Sequence, residues 1–413
     1  MIKKKKKLFI VGSGITGLSA ALIAIKKNIS AEIFETGPIA GGIIKDTIVN
    51  DQNYLTGCQY LSKNSFWYDH VPKKIKNLLK ETKVIYSTYC DLFNNKNKCL
   101  DNYPDLFLDK KIKIKSLKYK KPNSLMDRCL LYPTPISKIL LNWIKRFDLK
   151  SNKLMQDSNR NGLMFSRIFL KKNLEITNLK KKSKIFDDLY GTPRLKKNNL
   201  EGLLPKYGYN KFFGEFLKYL EKNKIKIHLK TPVIPIWKKN KISLKIRGKI
   251  FKPNYVLWTG NPVSLIKNYN SQMLDSVNFK IRILTFKVIG NIKEDFYVQV
   301  FTKKSSILRL FFYIKDKKKY CSVECFNEKE DIKKIKKMIN KILFSLKIKI
   351  SLEDKQKSDI IQKRYSLLSV KDYKILKNFK KRVSRSNLIP SPWEYSSSQK
   401  KLMLLKSSMK RVI

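Results

Sequence analysis

Apolar positions follow two different periods along this chain. From Leu8 to Ile25 no charge interrupts the sequence: LFIV is a solid block of bulky residues, and ITGLSAALIAI continues it as an Ala- and Leu-rich segment. The block has the character of a buried parallel strand and the continuation that of a helix, with the break falling on glycines. AEIFE then reads as a second strand. Much further on, Phe212, Phe213, Phe216, Leu217 and Leu220 recur at helical spacing in YNKFFGEFLKYLEK. The strand KIKIHL follows, then an alternating hairpin through KISLKIRGKIF and an apolar strand, YVLWTG, ending at Gly260. Beyond Pro262 the pattern is strand-rich to Cys325 and helical afterwards, and the tail closes as a helix.

A lysine-rich start before an apolar run also fits a secretory signal or membrane anchor. Two features count against that reading. KKNIS follows Ile25 in place of a small-residue cleavage site, and Gly12, Gly14 and Gly17 stand at GxGxxG spacing. In a dinucleotide-binding βαβ unit the first glycine makes the turn, the second admits the pyrophosphate and the third lets helix and strand pack closely. The phosphates rest on the helix N-terminus. Glu35, at the end of the second strand, stands where an acidic side chain accepts ribose hydroxyls. Gly41 and Gly42 offer backbone amides to a second face of the same pyrophosphate. GxGxxG does not recur, so the chain offers one dinucleotide site and no dedicated NAD(P)H site is expected.

Composition changes the picture less than its numbers suggest. The net charge is +58, from 90 Lys and Arg against 32 Asp and Glu in 413 residues. The excess is mostly lysine, spread over the whole chain beside abundant Ile and Asn, as in the residue usage of an AT-rich genome. Arginine forks that read phosphates and base edges are scarce. The expectation is therefore no specific nucleic-acid partner, but salt-sensitive peripheral adhesion to anionic surfaces, membranes included. Six cysteines without a CxxC pair, and only His70 and His228, supply no metal-site spacing and argue against a Ser/His/Asp hydrolase. Cys321 and Cys325 read as buried small hydrophobes, which fits a reducing, cytoplasmic setting.

Taken together, IVGSGITGLSAALIAIKKNISAEIFETGPIAGG resembles the FAD-binding start of the flavin amine oxidase superfamily. That superfamily includes protoporphyrinogen oxidases, carotenoid desaturases and UDP-galactopyranose mutases. KYGYNKFFGEFLKYLEKNKIKIHLKTPV is similar to its later helix, strand and adenine-side valine, and YVLWTG to its returning strand. The resemblance implies an FAD cofactor held by Gly12, Ser13, Gly14, Thr16, Gly17, Glu35, Thr36, Gly41, Gly42, Gly57, Gln59, Val233 and Thr259. Tyr132 and Pro133, in LYPTP, resemble a segment lining the substrate cavity of sugar-linked members, and read equally as a turn before a packed helix. Arg194 and Arg364 could clamp an anionic substrate, and read otherwise as surface cations. No catalytic residue is assigned.

The chain departs from the superfamily pattern at three places. Ile43 replaces the arginine that often follows the glycine pair. LTGCQYL puts Leu55 and Gln59 where the mutases carry an acidic residue and a histidine. IPSPWEY stands in place of a C-terminal Gly-Asp or Gly-Arg. The expected fold is α/β, a Rossmann-like FAD-binding domain (1–65, 201–265 and 383–413) with an inserted mixed α+β substrate domain (66–200 and 266–382). The expected function is a flavin-dependent oxidoreductase of unspecified small-molecule substrate. The alternatives are a flavin-dependent nucleotide-sugar isomerase serving surface polysaccharide, and a non-catalytic FAD-binding relic.

Overall fold

A five-stranded parallel sheet organises the nucleotide half of the chain. The computed structural model describes residues 6–63, 66–92, 98–100, 124–130, 134–146, 199–274, 277–393 and 398–412. The uncharged N-terminal run forms strand β1 (Lys7–Val11), a turn through the glycines, and helix α1 (Ile15–Lys26), with strand β2 (Ser30–Phe34) following. The sheet order is Leu388–Pro390, Tyr255–Trp258, β1, β2 and Lys226–His228, parallel throughout. No helix among the described residues is long and apolar enough to cross a membrane, and the apolar start is consumed inside this sheet.

Alternation along β1 explains why its sequence is apolar on every position. Leu8 and Ile10 pack with α1 and with Phe212, Phe213 and Phe216 of helix Tyr209–Lys222. Phe9 and Val11 point the other way, toward Trp258, Leu376, Phe379 and the three-stranded antiparallel sheet that carries Ile242, Leu244 and Ile246. Both faces are covered, as a parallel sheet requires. Helix Ser398–Met409 adds Leu402, Leu405 and Met409 beside α1.

The second sheet has ten strands, in which Phe296–Phe301 runs parallel to Leu79–Cys90 although about two hundred residues separate them. One face carries helix Ile332–Ser345 through Ile335, Ile339 and Ile342. From the other face Tyr297, Phe311, Tyr313 and Tyr320 join the cluster around α1 and Phe213, which seats this sheet against the nucleotide half. Cys321 and Cys325 lie buried in it as free thiols.

Three elements cross the boundaries expected from sequence. Strands Leu61–Ser62 and Asn199–Pro205 pair into the large sheet, where their backbone groups find ladder partners. Helix Val370–Arg382, started by a Ser369/Asp372 capping box, packs Leu376 and Phe379 on the nucleotide sheet. In VKDYKILKNFKKR a narrow apolar stripe among lysines suffices for that contact.

Candidate functional site

The C-terminal ends of the parallel strands meet at one edge, the place where open α/β sheets bind ligands. At the end of β1 the chain turns at Gly12, whose φ of +102° suits glycine and whose Cβ would lie 2.6 Å from Thr259 Oγ1. Thr259 closes the turn by donating its hydroxyl to the Val11 carbonyl at 2.9 Å. A Cβ on Gly17 would run into the Gly12 carbonyl, so that glycine serves helix–strand packing. Thr16 is buried in the first turn of α1.

Gly14 behaves differently. A Cβ there would meet only Gly42 Cα, at 3.9 Å. The Gly14 and Gly41 backbones form a parallel bridge, and Gly41 N–H donates to the Ser13 carbonyl at 2.9 Å. Two glycine loops thus border an open space in front of α1, whose N-terminus has no side-chain cap and no acidic residue in its first turn. Its free N–H groups and dipole favour an anion there. A pyrophosphate fits this donor set, and space is kept for it where a side chain would otherwise stand.

Glu35 Oε2 accepts from the backbone N–H and the hydroxyl of Ser13, each at 2.8 Å, and Oε1 accepts from Gly37 N–H at 2.8 Å. A carboxylate offers about four lone-pair sites, so capacity remains for a ribose hydroxyl. Thr36 beside it is exposed. Thr231 N–H donates to the Glu35 carbonyl at 2.8 Å, which brings the strand beginning at Val233 to the same end of the cradle.

Gly57 and Gln59 occupy a separate loop, joined to the cradle through one helix. Phe213 lies where a Cβ on Gly41 would stand, its ring stacks with Tyr209 at 6.1 Å between centroids, and the Tyr209 hydroxyl donates to the Gln59 carbonyl at 3.2 Å. Asp46 fixes the start of that helix: its Oδ2 accepts from Asn210 N–H at 3.1 Å while Asn210 Oδ1 accepts from Asp46 N–H at 3.2 Å. Asp46 Oδ1 is buried without a hydrogen-bond partner. Burial pushes the Asp46 carboxyl above its ordinary range, against the backbone donors and the attraction of Lys315.

Over this loop the large sheet supplies charges that the sequence reading missed. Glu324, fully buried, accepts from Cys58 N–H at 2.8 Å through Oε1 and from Arg309 Nε at 2.6 Å through Oε2. Arg309 is 12% exposed, so the pair is almost dry. Tyr297 is buried beside it and donates to Gln299 at 3.1 Å; burial raises its phenol well above the ordinary range, so it stays protonated. The Ser322 hydroxyl donates to the Leu55 carbonyl at 3.2 Å. The loop that carries Leu55 and Gln59 in place of acidic and histidine residues therefore rests on an ion pair from another part of the chain. A single charge inside each apolar run, ILRLFF and CSVECF, was the available signal.

Of the substrate candidates, Tyr132 and Arg194 lie outside the described residues. Arg364 lies on strand Ser358–Leu367, with its side chain outside them. Where a C-terminal Gly-Asp or Gly-Arg was expected, the strand Leu388–Pro390 leads into buried Ser391 and Trp393. The Trp393 indole donates to the Trp258 carbonyl at 3.1 Å and fills the end of the sheet with apolar surface.

Residues 10–76 match the model of the NAD(P)-binding Rossmann-like domain. No curated protein sequence matches the chain. Among solved structures, a reduced UDP-galactopyranose mutase aligns with a TM-score of 0.69 at 10% identity, covering 99% of this chain and 95% of that one. A protein described as a protoporphyrinogen oxidase, from Exiguobacterium sp. 255-15, aligns at 0.58 with 12% identity over 99% and 98%. A redesigned putrescine oxidase triple mutant aligns at 0.56 with 10% identity over 99% of each chain. At such identities the likeness is one of fold: a Rossmann-like dinucleotide-binding domain set within the larger fold that the chain shares with these three structures.

Proposed function

We propose that the chain is an FAD-dependent oxidoreductase acting on a small molecule in the cytoplasm. The observation that carries this reading is the pairing of two features in one cradle. The Glu35 carboxylate is held against Ser13 in the GxGxxG turn, and Gly14 and Gly42 border open space at an uncapped helix N-terminus. The first fits a ribose, the second a pyrophosphate. A bound flavin supplies the electron-transfer chemistry. The chain's own part is to hold the dinucleotide along this edge, to brace the Gly57–Gln59 loop from the large sheet, and to cover the far end with Trp393. Five buried free cysteines among the described residues suit a reducing compartment.

The test is the spectrum of the purified protein. A noncovalent flavin spectrum, bleached anaerobically by substrate alone, is expected. Colourless protein that cannot be reconstituted with FAD overturns the proposal. A second reading, a flavin-dependent nucleotide-sugar isomerase, is favoured by the 0.69 alignment with the mutase. It requires rearranged sugar to form only after dithionite treatment, with no net electrons passed. Leu55 and Gln59, at the places where the mutases carry charge and imidazole, weigh against it.

A further inference from the structure

The helix Ile332–Ser345 reads IKKIKKMINKILFS and holds five lysines with no acidic residue. Its inner stripe, Ile335, Met338, Ile339, Ile342 and Leu343, is buried on the large sheet. At about 100° per residue, Lys333, Lys337, Lys341 and Phe344 fall on one outer stripe about 16 Å long. Lys334 is drawn aside to Glu330 and Lys336 to Asp354. Lys333, Lys337 and Lys341 are exposed, and none has an ion-pair partner among the described residues.

Phe344 decides what such a stripe suits. Its side chain is 85% exposed, the most open of the large apolar residues in the described chain, and it sits at the end of the stripe rather than over the core. Lys347 N–H bonds the Phe344 carbonyl at 3.0 Å, so the exposed Lys347 and Lys349 continue the basic surface past the ring. Lysines around an outward aromatic ring match the two zones of an anionic bilayer surface. Phosphates meet the ammonium groups, and the acyl boundary takes the ring. A nucleic-acid duplex, whose bases are already stacked, would be met by the lysines alone and would leave the ring in water.

We propose that this face docks the protein on anionic lipid bilayers. The inference is independent of the cofactor reading, since the helix lies on the opposite face of the large sheet from the nucleotide half. Full-length protein would be sedimented with phosphatidylcholine vesicles, with and without phosphatidylglycerol. Three variants are compared with the parent: Phe344→Ala, the triple Lys333→Gln/Lys337→Gln/Lys341→Gln, and an equal-charge control, Lys238→Gln/Lys239→Gln/Lys245→Gln, on the exposed three-stranded sheet. Binding to phosphatidylglycerol vesicles is expected to fall about tenfold for Phe344→Ala and roughly a hundredfold for the helix triple. The control should fall by less than about threefold. Far-ultraviolet circular dichroism should be the same for all, because every altered side chain is exposed. If the two triples lose binding equally and Phe344→Ala loses none, the attraction is nonspecific polyanion binding and the proposal is overturned.

Discussion

Glu35 holds Ser13 twice, accepting its backbone N–H and its hydroxyl on the same oxygen at 2.8 Å each. The acidic end of β2 and the turn after β1 are thereby one unit, and substitution should be felt in cofactor affinity. Glu35→Gln exchanges a charged acceptor for a neutral one, and bonds to charged groups are worth about 1.5–3 kcal/mol. FAD affinity, followed by quenching of flavin fluorescence, should drop roughly 10- to 100-fold. Ser13→Ala keeps the N–H and should cost less. Equal affinities for parent and Glu35→Gln would remove Glu35 from the cradle.

Gly14 and Gly17 should separate binding from folding. A side chain at Gly14 enters open space, so Gly14→Val should fold with a melting temperature close to the parent's and fail to bind FAD. At Gly17 even one methyl meets backbone, and Gly17→Ala should lose about 1–3 kcal/mol of stability in urea unfolding. A Gly14→Val protein that still holds flavin would show that the pyrophosphate lies elsewhere.

The Arg309–Glu324 pair should respond in the manner of a buried ion pair. Glu324→Gln leaves a guanidinium in an almost dry site and should destabilise by about 3–5 kcal/mol, whereas Arg309→Met combined with Glu324→Gln should recover much of that loss. Urea unfolding of both singles and the double gives the coupling. Additive losses would mean that the two side chains act separately.

Asp46 sets a pH dependence. Its carboxyl is raised by burial, so the native state keeps a proton that the unfolded chain has already released. Stability contributed by this group is therefore present below the unfolded carboxylate value of about 4 and is lost as pH rises through the raised native value. Asp46→Asn should flatten urea stability from about pH 4 upward, while leaving an amide oxygen to accept from Asn210. A slope identical to the parent's would assign the dependence to other groups.

The cradle was legible because its parts are local. The change of period on Gly12–Gly17, the strand ending at Glu35 and the pair Gly41–Gly42 all lie within one βαβ passage, and Gly12, Gly17 and Gly41 each answer to a steric need at their own position while Gly14 keeps space open. Thr259 could be placed because YVLWTG is a short apolar strand stopped by glycine. The brace over Gly57–Gln59 was not legible. Arg309 and Glu324 face each other only through the register of two antiparallel strands, and Cys58 reaches Glu324 across 266 residues. The packing of helix Val370–Arg382 was not legible for a related reason, since its lysines mask a stripe whose Phe379 meets Trp237 and Tyr269, more than a hundred residues earlier in the chain. The arginine seated over the candidate loop is Arg309.

The parallel sheet also fixes an order of assembly. Its middle strand, β1, is made first, yet its second neighbour is Tyr255–Trp258, and the strand that flanks that one is Leu388–Pro390. A ribosome adding about 5–20 residues per second would deliver these pieces over tens of seconds, and β1 would wait with one edge bare. Until Tyr255–Trp258 emerges, LFIV presents an unpaired strand edge of the kind that other chains can pair with. The turn at Gly12 acquires its clasp, the hydroxyl of Thr259, only after a further 247 residues have been synthesised.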